Sequence, residues 1–145
     1  MNKHYIDAQI KETTKHSISN NLYEIACNNN IVILEFDLGE STNGLYLYLE
    51  KTRLILLNTN MSESHKKIVL AHEIGHAILH TKVNCAFIKK YTHISTNTFE
   101  VEANYFAAKL LYHLDILTDD NLCIYSKEIT DLDIGFIDAI KNTMR

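Results

Sequence analysis

The sequence predicts a single α+β domain, because two kinds of apolar periodicity alternate along its 145 residues. Between residues 31 and 58 apolar side chains recur at every second position, which is typical of strands that bury one face. Before and after this stretch apolar residues recur at helical spacing. A chain of this length makes one domain, so residues 1–145 are taken as a single unit.

The first element is an N-terminal helix over roughly the first 30 residues, ended by three consecutive asparagines that tolerate turn geometry. Strands follow over residues 32–38, 45–49 and 53–57, joined by a loop at 39–43 and a tight turn at Lys51 and Thr52. The short connections favour a three-stranded antiparallel sheet. The apolar positions that support the N-terminal helix are Ile18, Leu22, Ile25 and Ala26.

Two longer helices follow the sheet. Ser62 or Ser64 caps the first, which runs to about His80. Residues 81–97 have a mixed pattern and are expected to form a loop. The second helix is expected to cover roughly Thr98 to Leu114 and to pack on the first. Beyond residue 125 one or two short amphipathic helices are expected, with apolar positions at Ile134, Ile137 and Ile140.

Composition narrows the class of protein. With 46% hydrophobic and 22% charged residues the chain is an ordinary globular domain, and its net charge of −4 argues against direct nucleic-acid binding. No apolar run reaches the 18 residues or more of a membrane span, and the N-terminus lacks an apolar signal segment. The odd number of cysteines without metal-ligand spacing predicts free thiols in a reducing cytoplasm. They are Cys27, Cys85 and Cys123.

The most specific feature is H-E-I-G-H at residues 72–76. Positions four apart share a helix face, so His72 and His76 can direct two imidazoles at one metal ion. Glu73 lies about 100° further round the helix and can act as a base on a water there, as in zinc peptidases. The alternative is two surface histidines beside a solvated Glu73. The apolar flanks disfavour it, because they predict a buried helix in which polar groups need partners.

A third ligand must come from elsewhere, since catalytic zinc sites usually have three protein ligands and an open position. Glu100 and Asn104 share a face of the second helix, so Glu100 could bind the metal while Asn104 hydrogen-bonds a ligand histidine. Glu100 could equally be a negative residue favouring a helix N-terminus. Glu102 is rotated about 200° from Glu100 and is more consistent with a solvated position. The other candidates are His80, His93 and His113.

Other residues near the motif have alternative explanations. Gly75 costs about 1 kcal/mol relative to Ala inside a helix, which suggests close approach of another backbone. His80 could be a pocket residue or a satisfied core histidine. Tyr91 and His93 lie between the two helices, and either could stabilise a developing oxyanion or simply be solvated.

Residues 70–80 (LAHEIGHAILH) and 100–111 (EVEANYFAAKLL) together resemble the ImmA/IrrE family of metallopeptidases. The similarity extends over roughly residues 18–115, and two linked motifs are more specific than H-E-x-x-H alone. Family members commonly carry Pro soon after the Leu-Leu pair of the second helix, whereas Tyr112 follows it here. This departure concerns only how that helix ends.

The resemblance implies a small gluzincin-like metallopeptidase domain with one Zn²⁺ per chain. His72 and His76 match the family's histidine ligands, Glu73 its general base and Glu100 its glutamate ligand. Asn104 matches the residue that orients a ligand.

Many members are encoded by phages and mobile elements and cleave a helix-turn-helix repressor to release gene expression. The resemblance therefore implies a cytoplasmic zinc endopeptidase with a repressor substrate. One alternative is a metal-containing regulatory protein that binds its partner without cutting it. Another is a structural-metal module in which His80 or His93 fills the fourth position.

Overall fold

The computed structural model describes residues 1–122, 125 and 134–143. Within these residues the chain is α+β, as predicted, and its last described element corresponds to the expected C-terminal helices. Residues 126–133, which were included in that expectation, lie outside the described residues. The elements are α1 (Lys3–Thr14), α2 (Leu22–Asn28), β1 (Ile31–Phe36), β2 (Gly44–Leu49), β3 (Thr52–Asn58), α3 (Glu63–Leu79), α4 (Cys85–Tyr91), α5 (Asn97–His113) and α6 (Ile134–Thr143).

The sheet is mixed, so the prediction of an antiparallel sheet is wrong. Its order is β1-β3-β2, with β1 parallel to β3 and β2 antiparallel to β3. Residues 37–43 carry the chain from β1 across the end of β3 to the opposite edge. Alternation along each strand identifies the strands and their buried faces, but it does not specify which strands become neighbours.

Asn58, at the end of β3, holds this crossover in place. Its side chain is buried, and its amide nitrogen donates to the carbonyl oxygens of Gly39 and Thr42, both at 2.8 Å. Its amide oxygen accepts from the backbone N–H groups of Leu38 and Asn60 at 3.3 and 3.1 Å. One buried side chain therefore satisfies three backbone groups of the loop that leads into β2 and one backbone group, that of Asn60, just after β3.

The N-terminal region and the segment after α3 also differ from the prediction. The expected single N-terminal helix is divided into α1 and α2 by residues 15–21, and Ile18 is 98% exposed there. Asn21 starts α2 by accepting hydrogen bonds from the N–H groups of Tyr23 and Glu24. In the segment expected to be a loop, residues 85–91 form α4.

Helix α3 lies at the centre of the molecule, between the sheet on one side and α5 on the other. A side-chain carbon at Gly75 would lie 3.2 Å from both the Cα and the carbonyl oxygen of Ala103 on α5. The expectation that Gly75 allows another backbone to approach closely is therefore confirmed. This close contact brings the first turn of α5 beside the H-E-I-G-H turns of α3.

The sequence predicts free cysteine thiols and no membrane-spanning segment. Cys27 is an exposed free thiol and Cys85 a buried one, while Cys123 lies outside the described residues. Over the part of the chain that the structure describes, no helix combines the length and apolar character needed to cross a membrane.

Candidate metal centre

Two histidines of α3 meet at the surface of the helix that faces α5. His72 and His76 are one turn apart, their rings are edge-to-face with centroids 4.7 Å apart, and their Nε2 atoms are 3.1 Å apart. The side chain of His76 is 4% exposed and that of His72 is 19% exposed. The helical spacing thus directs one nitrogen of each ring to the same point, as expected from the sequence.

Glu100, in the first turn of α5, completes a group of three donors. Its Oε2 lies 3.2 Å from His72 Nε2, and its Oε1 lies 3.4 Å from His76 Nε2. All three donor atoms are within 4.8 Å of one another. Tetrahedral ligands at zinc–ligand distances of about 2.0–2.1 Å are themselves about 3.3–3.4 Å apart. The spacing and the imidazole/carboxylate chemistry therefore suit one zinc-sized cation.

Asn104 determines which nitrogen of His72 faces this point. The Nδ1–H of His72 donates to Asn104 Oδ1 at 2.8 Å, and Asn104 is buried. A neutral imidazole with its proton on Nδ1 carries its lone pair on Nε2. Glu100 and Asn104 lie one turn apart on the side of α5 that faces α3, which is the shared face that their spacing predicted.

The charges at this point favour a cation. Burial disfavours charged His72, but its hydrogen bond with Glu100 and the nearby carboxylates of Glu73 and Glu100 raise its pKa above the ordinary histidine value. Burial would raise the pKa of Glu100, yet its hydrogen bonds with His72 and His76 hold that pKa far below its ordinary value. Positive charge is stabilised where the three donors meet, and a metal ion supplies such charge.

The remaining ligand candidates lie elsewhere. His80 is buried beside the outer nitrogen of His76, and its Nε2 lies 3.4 Å from Glu102 Oε2. Glu102, expected to be solvated, is 24% exposed and forms this contact. His93 is exposed, and His113 is exposed next to Thr14. Among the described residues, none of these four joins the three-donor group.

A cavity of about 160 Å³ opens onto the donors and is bounded by α3, α4, α5 and β2. Glu73 lines it and is 8% exposed. Gly44 lies so close to Glu73 that a side-chain carbon there would be 3.2 Å from Glu73 Cγ. Neither Tyr91, which is 64% exposed, nor His93 is among the described residues that line this cavity.

Three residues of α4 line the same cavity, and the sequence analysis assigned no role at the site to the two polar ones, Cys85 and Lys89. Lys89 places its ammonium 3.1 Å from Glu100 Oε1. Cys85 places its sulfur 3.9 Å from His76 Nδ1, and burial raises the pKa of its thiol to about 11. Because Cys85 and Lys89 are four apart they share a helix face, a signal that becomes readable only once residues 85–91 are recognised as helical.

Comparisons with known proteins identify the family to which the chain belongs. A family model described as the IrrE N-terminal-like domain, Peptidase_M78, matches residues 27–121, a range that contains the three donors and Glu73. The "Uncharacterized immunity region protein 2" of Bacillus phage phi105 is 36% identical over 106 residues, which are 73% of this chain and 67% of that protein. "Metallopeptidase ImmA" of Bacillus subtilis strain 168 is 35% identical over 117 residues, which are 81% of this chain and 66% of that protein. The chain thus matches about two thirds of the length of either relative, and it belongs to the IrrE N-terminal-like family of metallopeptidases.

Proposed function

We propose that this chain is a zinc-dependent endopeptidase of the gluzincin type, in which His72, His76 and Glu100 hold the metal. The observation that carries the proposal is the convergence of these three donors at the spacing of tetrahedral zinc ligands. Bound there, zinc lowers the pKa of a water ligand to about 7 and polarises a carbonyl group.

Glu73 is the general base in this proposal. It follows the first histidine of the motif, lines the donor cavity and is nearly inaccessible to bulk solvent. Glu73 takes a proton from the attacking water and later passes it to the leaving amine. Asn104 contributes by keeping the Nε2 lone pair of His72 directed at the metal position.

The edge of β2 supports a peptide as the substrate. In an antiparallel pair, backbone groups point alternately toward and away from the neighbouring strand. Tyr48 points away from β3, because its N–H donates to Asn84 Oδ1 at 2.8 Å. Gly44 and Tyr46 occupy the equivalent alternate positions, and both line the cavity that contains Glu73. An extended peptide can add to this edge through backbone hydrogen bonds and so place a carbonyl beside Glu73.

We further propose that the substrate is a helix-turn-helix repressor of a phage or mobile element, and that cleavage releases the repressed genes. The ImmA/IrrE resemblance suggests this class of substrate, and one relative is named as a phage immunity region protein.

The test compares the wild type with Glu73→Gln and with Glu63→Gln, a control at an exposed position of the same helix. Each zinc-loaded protein is incubated with the repressor of the same mobile element, and the products are identified by mass spectrometry. We expect about one zinc per chain in all three and cleavage in all but Glu73→Gln. Cleavage by Glu73→Gln would exclude Glu73 as the base.

Metal content separates the ligand candidates. We expect Glu100→Ala to lose zinc and Glu102→Ala to retain it, at least in part, as measured by elemental analysis. If the wild type binds zinc and the repressor but leaves the repressor intact, the chain is instead a metal-containing binding protein that inactivates its partner without cutting it.

A further inference from the structure

The outer nitrogen of His76 faces another histidine. His76 Nε2 lies on the Glu100 side, whereas His76 Nδ1 lies 3.3 Å from His80 Nδ1. His80 is the C-cap of α3, and its backbone N–H donates to the carbonyl oxygen of His76 at 2.9 Å. The end of the helix thus fixes the position of His80, and its side chain is only 5% exposed. Water has little access to this contact.

The far side of His80 faces a carboxylate. His80 Nε2 lies 3.4 Å from Glu102 Oε2, and the ring of Phe99 packs against the His80 ring at a centroid distance of 4.8 Å. Phe99 and Glu102 both belong to α5. His76, His80 and Glu102 therefore form a row that starts at the candidate metal position on α3 and ends at a carboxylate on α5.

Only one arrangement of protons satisfies every atom in this row. A neutral imidazole carries one proton, and a metal ligand must leave its lone pair on the coordinating nitrogen. With the His76 lone pair on Nε2, the proton of His76 lies on Nδ1 and is donated to His80 Nδ1. His80 then carries its own proton on Nε2, which it donates to Glu102. The opposite assignment for His80 would set two N–H groups against each other and leave Glu102 without a donor.

We propose that His80 and Glu102 form a relay that positions His76 for metal binding, an inference that rests on the proposed zinc site. The relay holds the His76 ring in orientation and makes its Nε2 a stronger donor, because the charge of Glu102 acts through two hydrogen bonds. His72 obtains the same support directly from the amide oxygen of Asn104. His80 and Glu102 are positioning residues, since neither joins the donor group.

The first experiment measures the zinc dissociation constant of purified variants by competition with a chromophoric chelator. His80→Leu removes the imidazole acceptor for His76 Nδ1–H and leaves only the weakly accepting sulfur of Cys85 at 3.9 Å. We expect zinc affinity to fall roughly 10–100-fold, as for other partners of ligand histidines. His80→Asn places an amide oxygen where His80 Nδ1 stands, which copies the role of Asn104. We expect His80→Asn to recover most of the affinity that His80→Leu loses.

A double-mutant cycle tests whether Glu102 acts through His80. Glu102→Gln should weaken zinc binding several-fold in the wild-type background and have no further effect in His80→Asn, where the relay is already cut. An equal effect in both backgrounds would mean that Glu102 acts on the metal directly through space, and it would overturn the relay. Glu63→Gln, at an exposed position of α3, is the matched control for removing one negative charge.

A spectroscopic readout keeps the inference testable even where a variant fails to fold. In zinc-loaded, ¹⁵N-labelled wild type, long-range ¹H–¹⁵N correlations report which ring nitrogen carries the proton. We expect the proton of His80 on Nε2, and a proton on His80 Nδ1 would overturn the inference.

The outcomes also separate this inference from the proposed function. Zinc binding with repressor cleavage but unchanged affinity in His80→Leu would overturn the relay alone. The expected affinity pattern without cleavage would support the relay and overturn the peptidase. A wild type that binds no zinc would overturn both.

Discussion

Replacing Asn58 by Ala tests how the crossover between β1 and β2 is held. The substitution removes four hydrogen bonds of 2.8–3.3 Å made by one buried side chain. At a net value of about 0.5–1.5 kcal/mol each, they contribute roughly 2–6 kcal/mol. Surface backbone groups regain water when the loop opens, so we expect a loss of about 2–4 kcal/mol. For a domain of this size that lowers Tm by roughly 4–16 °C.

The assay is thermal and urea unfolding of matched variants. Asn60→Ala is the control, because Asn60 is exposed and its side chain donates a single hydrogen bond, to Asp37. That variant should stay within about 0.5 kcal/mol of the wild type. If Asn58→Ala is no more destabilised than Asn60→Ala, the reasoning about the crossover is refuted.

Introducing a carboxyl group at the same buried position offers a second check. Asn58→Asp keeps the acceptor for Leu38 and Asn60 but sets carboxylate oxygens against the carbonyls of Gly39 and Thr42. Burial and those carbonyls raise a carboxyl pKa in the folded state, so stability should rise as pH falls through that pKa. The pH dependence of Tm, compared with Asn58→Ala, measures this effect.

Three further outcomes follow from the same packing. Gly75→Ala gains about 1 kcal/mol of helix propensity but forces a carbon to 3.2 Å from the Ala103 backbone, which costs about 1–3 kcal/mol. Urea unfolding should therefore show net destabilisation of up to about 2 kcal/mol, and a more stable variant would contradict the close contact. Alkylation of the native protein at pH 8 should modify the exposed Cys27 and spare Cys85, because Cys85 is buried and burial raises its pKa to about 11. Mass spectrometry identifies the modified residue, and rapid modification of Cys85 would show that the cavity opens to the reagent. Zinc at 100 times its Kd stabilises the folded protein by about 2.7 kcal/mol. A chelator should therefore lower the Tm of the wild type by roughly 5–11 °C and leave the Tm of Glu100→Ala unchanged. A wild-type Tm that does not change with zinc would argue against the site.

Features within one helix could be predicted from the sequence because they depend on local geometry. The facing Nε2 atoms of His72 and His76 follow from a separation of four residues, and the shared face of Glu100 and Asn104 follows from the same rule. The presence of Gly75 indicated that a second backbone would come close. The sequence could not predict the position of α5 along α3, because that position depends on shape complementarity between two segments that are distant in the sequence.

Contacts between elements account for the differences from the prediction. The rotation of Glu102 away from Glu100 was correctly anticipated, but its partner was not, since His80 lies past the end of the regular helix. Helix α4 was missed because residues 81–97 show no clear apolar periodicity. In the structure Asn84, at its N-cap, makes no capping hydrogen bond and instead accepts from the N–H of Tyr48 in β2. Strand order was missed because seven residues of loop can either turn back or cross a neighbouring strand, and alternation is the same in both cases.

The origin of the donors has a consequence for how such a protein diversifies. All three come from α3 and α5, whereas the edge that we propose as the peptide-binding site belongs to β2. Sequence change along β2 can therefore alter which peptide is accepted while the metal chemistry stays constant. Gly44 is the position at which β2 contacts α3 beside Glu73, because any side chain there would collide with Val69 and press on Glu73. Under the proposed binding mode, substitutions at the less buried positions of β2 could change which peptide binds, whereas Gly44 and the buried Tyr46 are constrained by their packing.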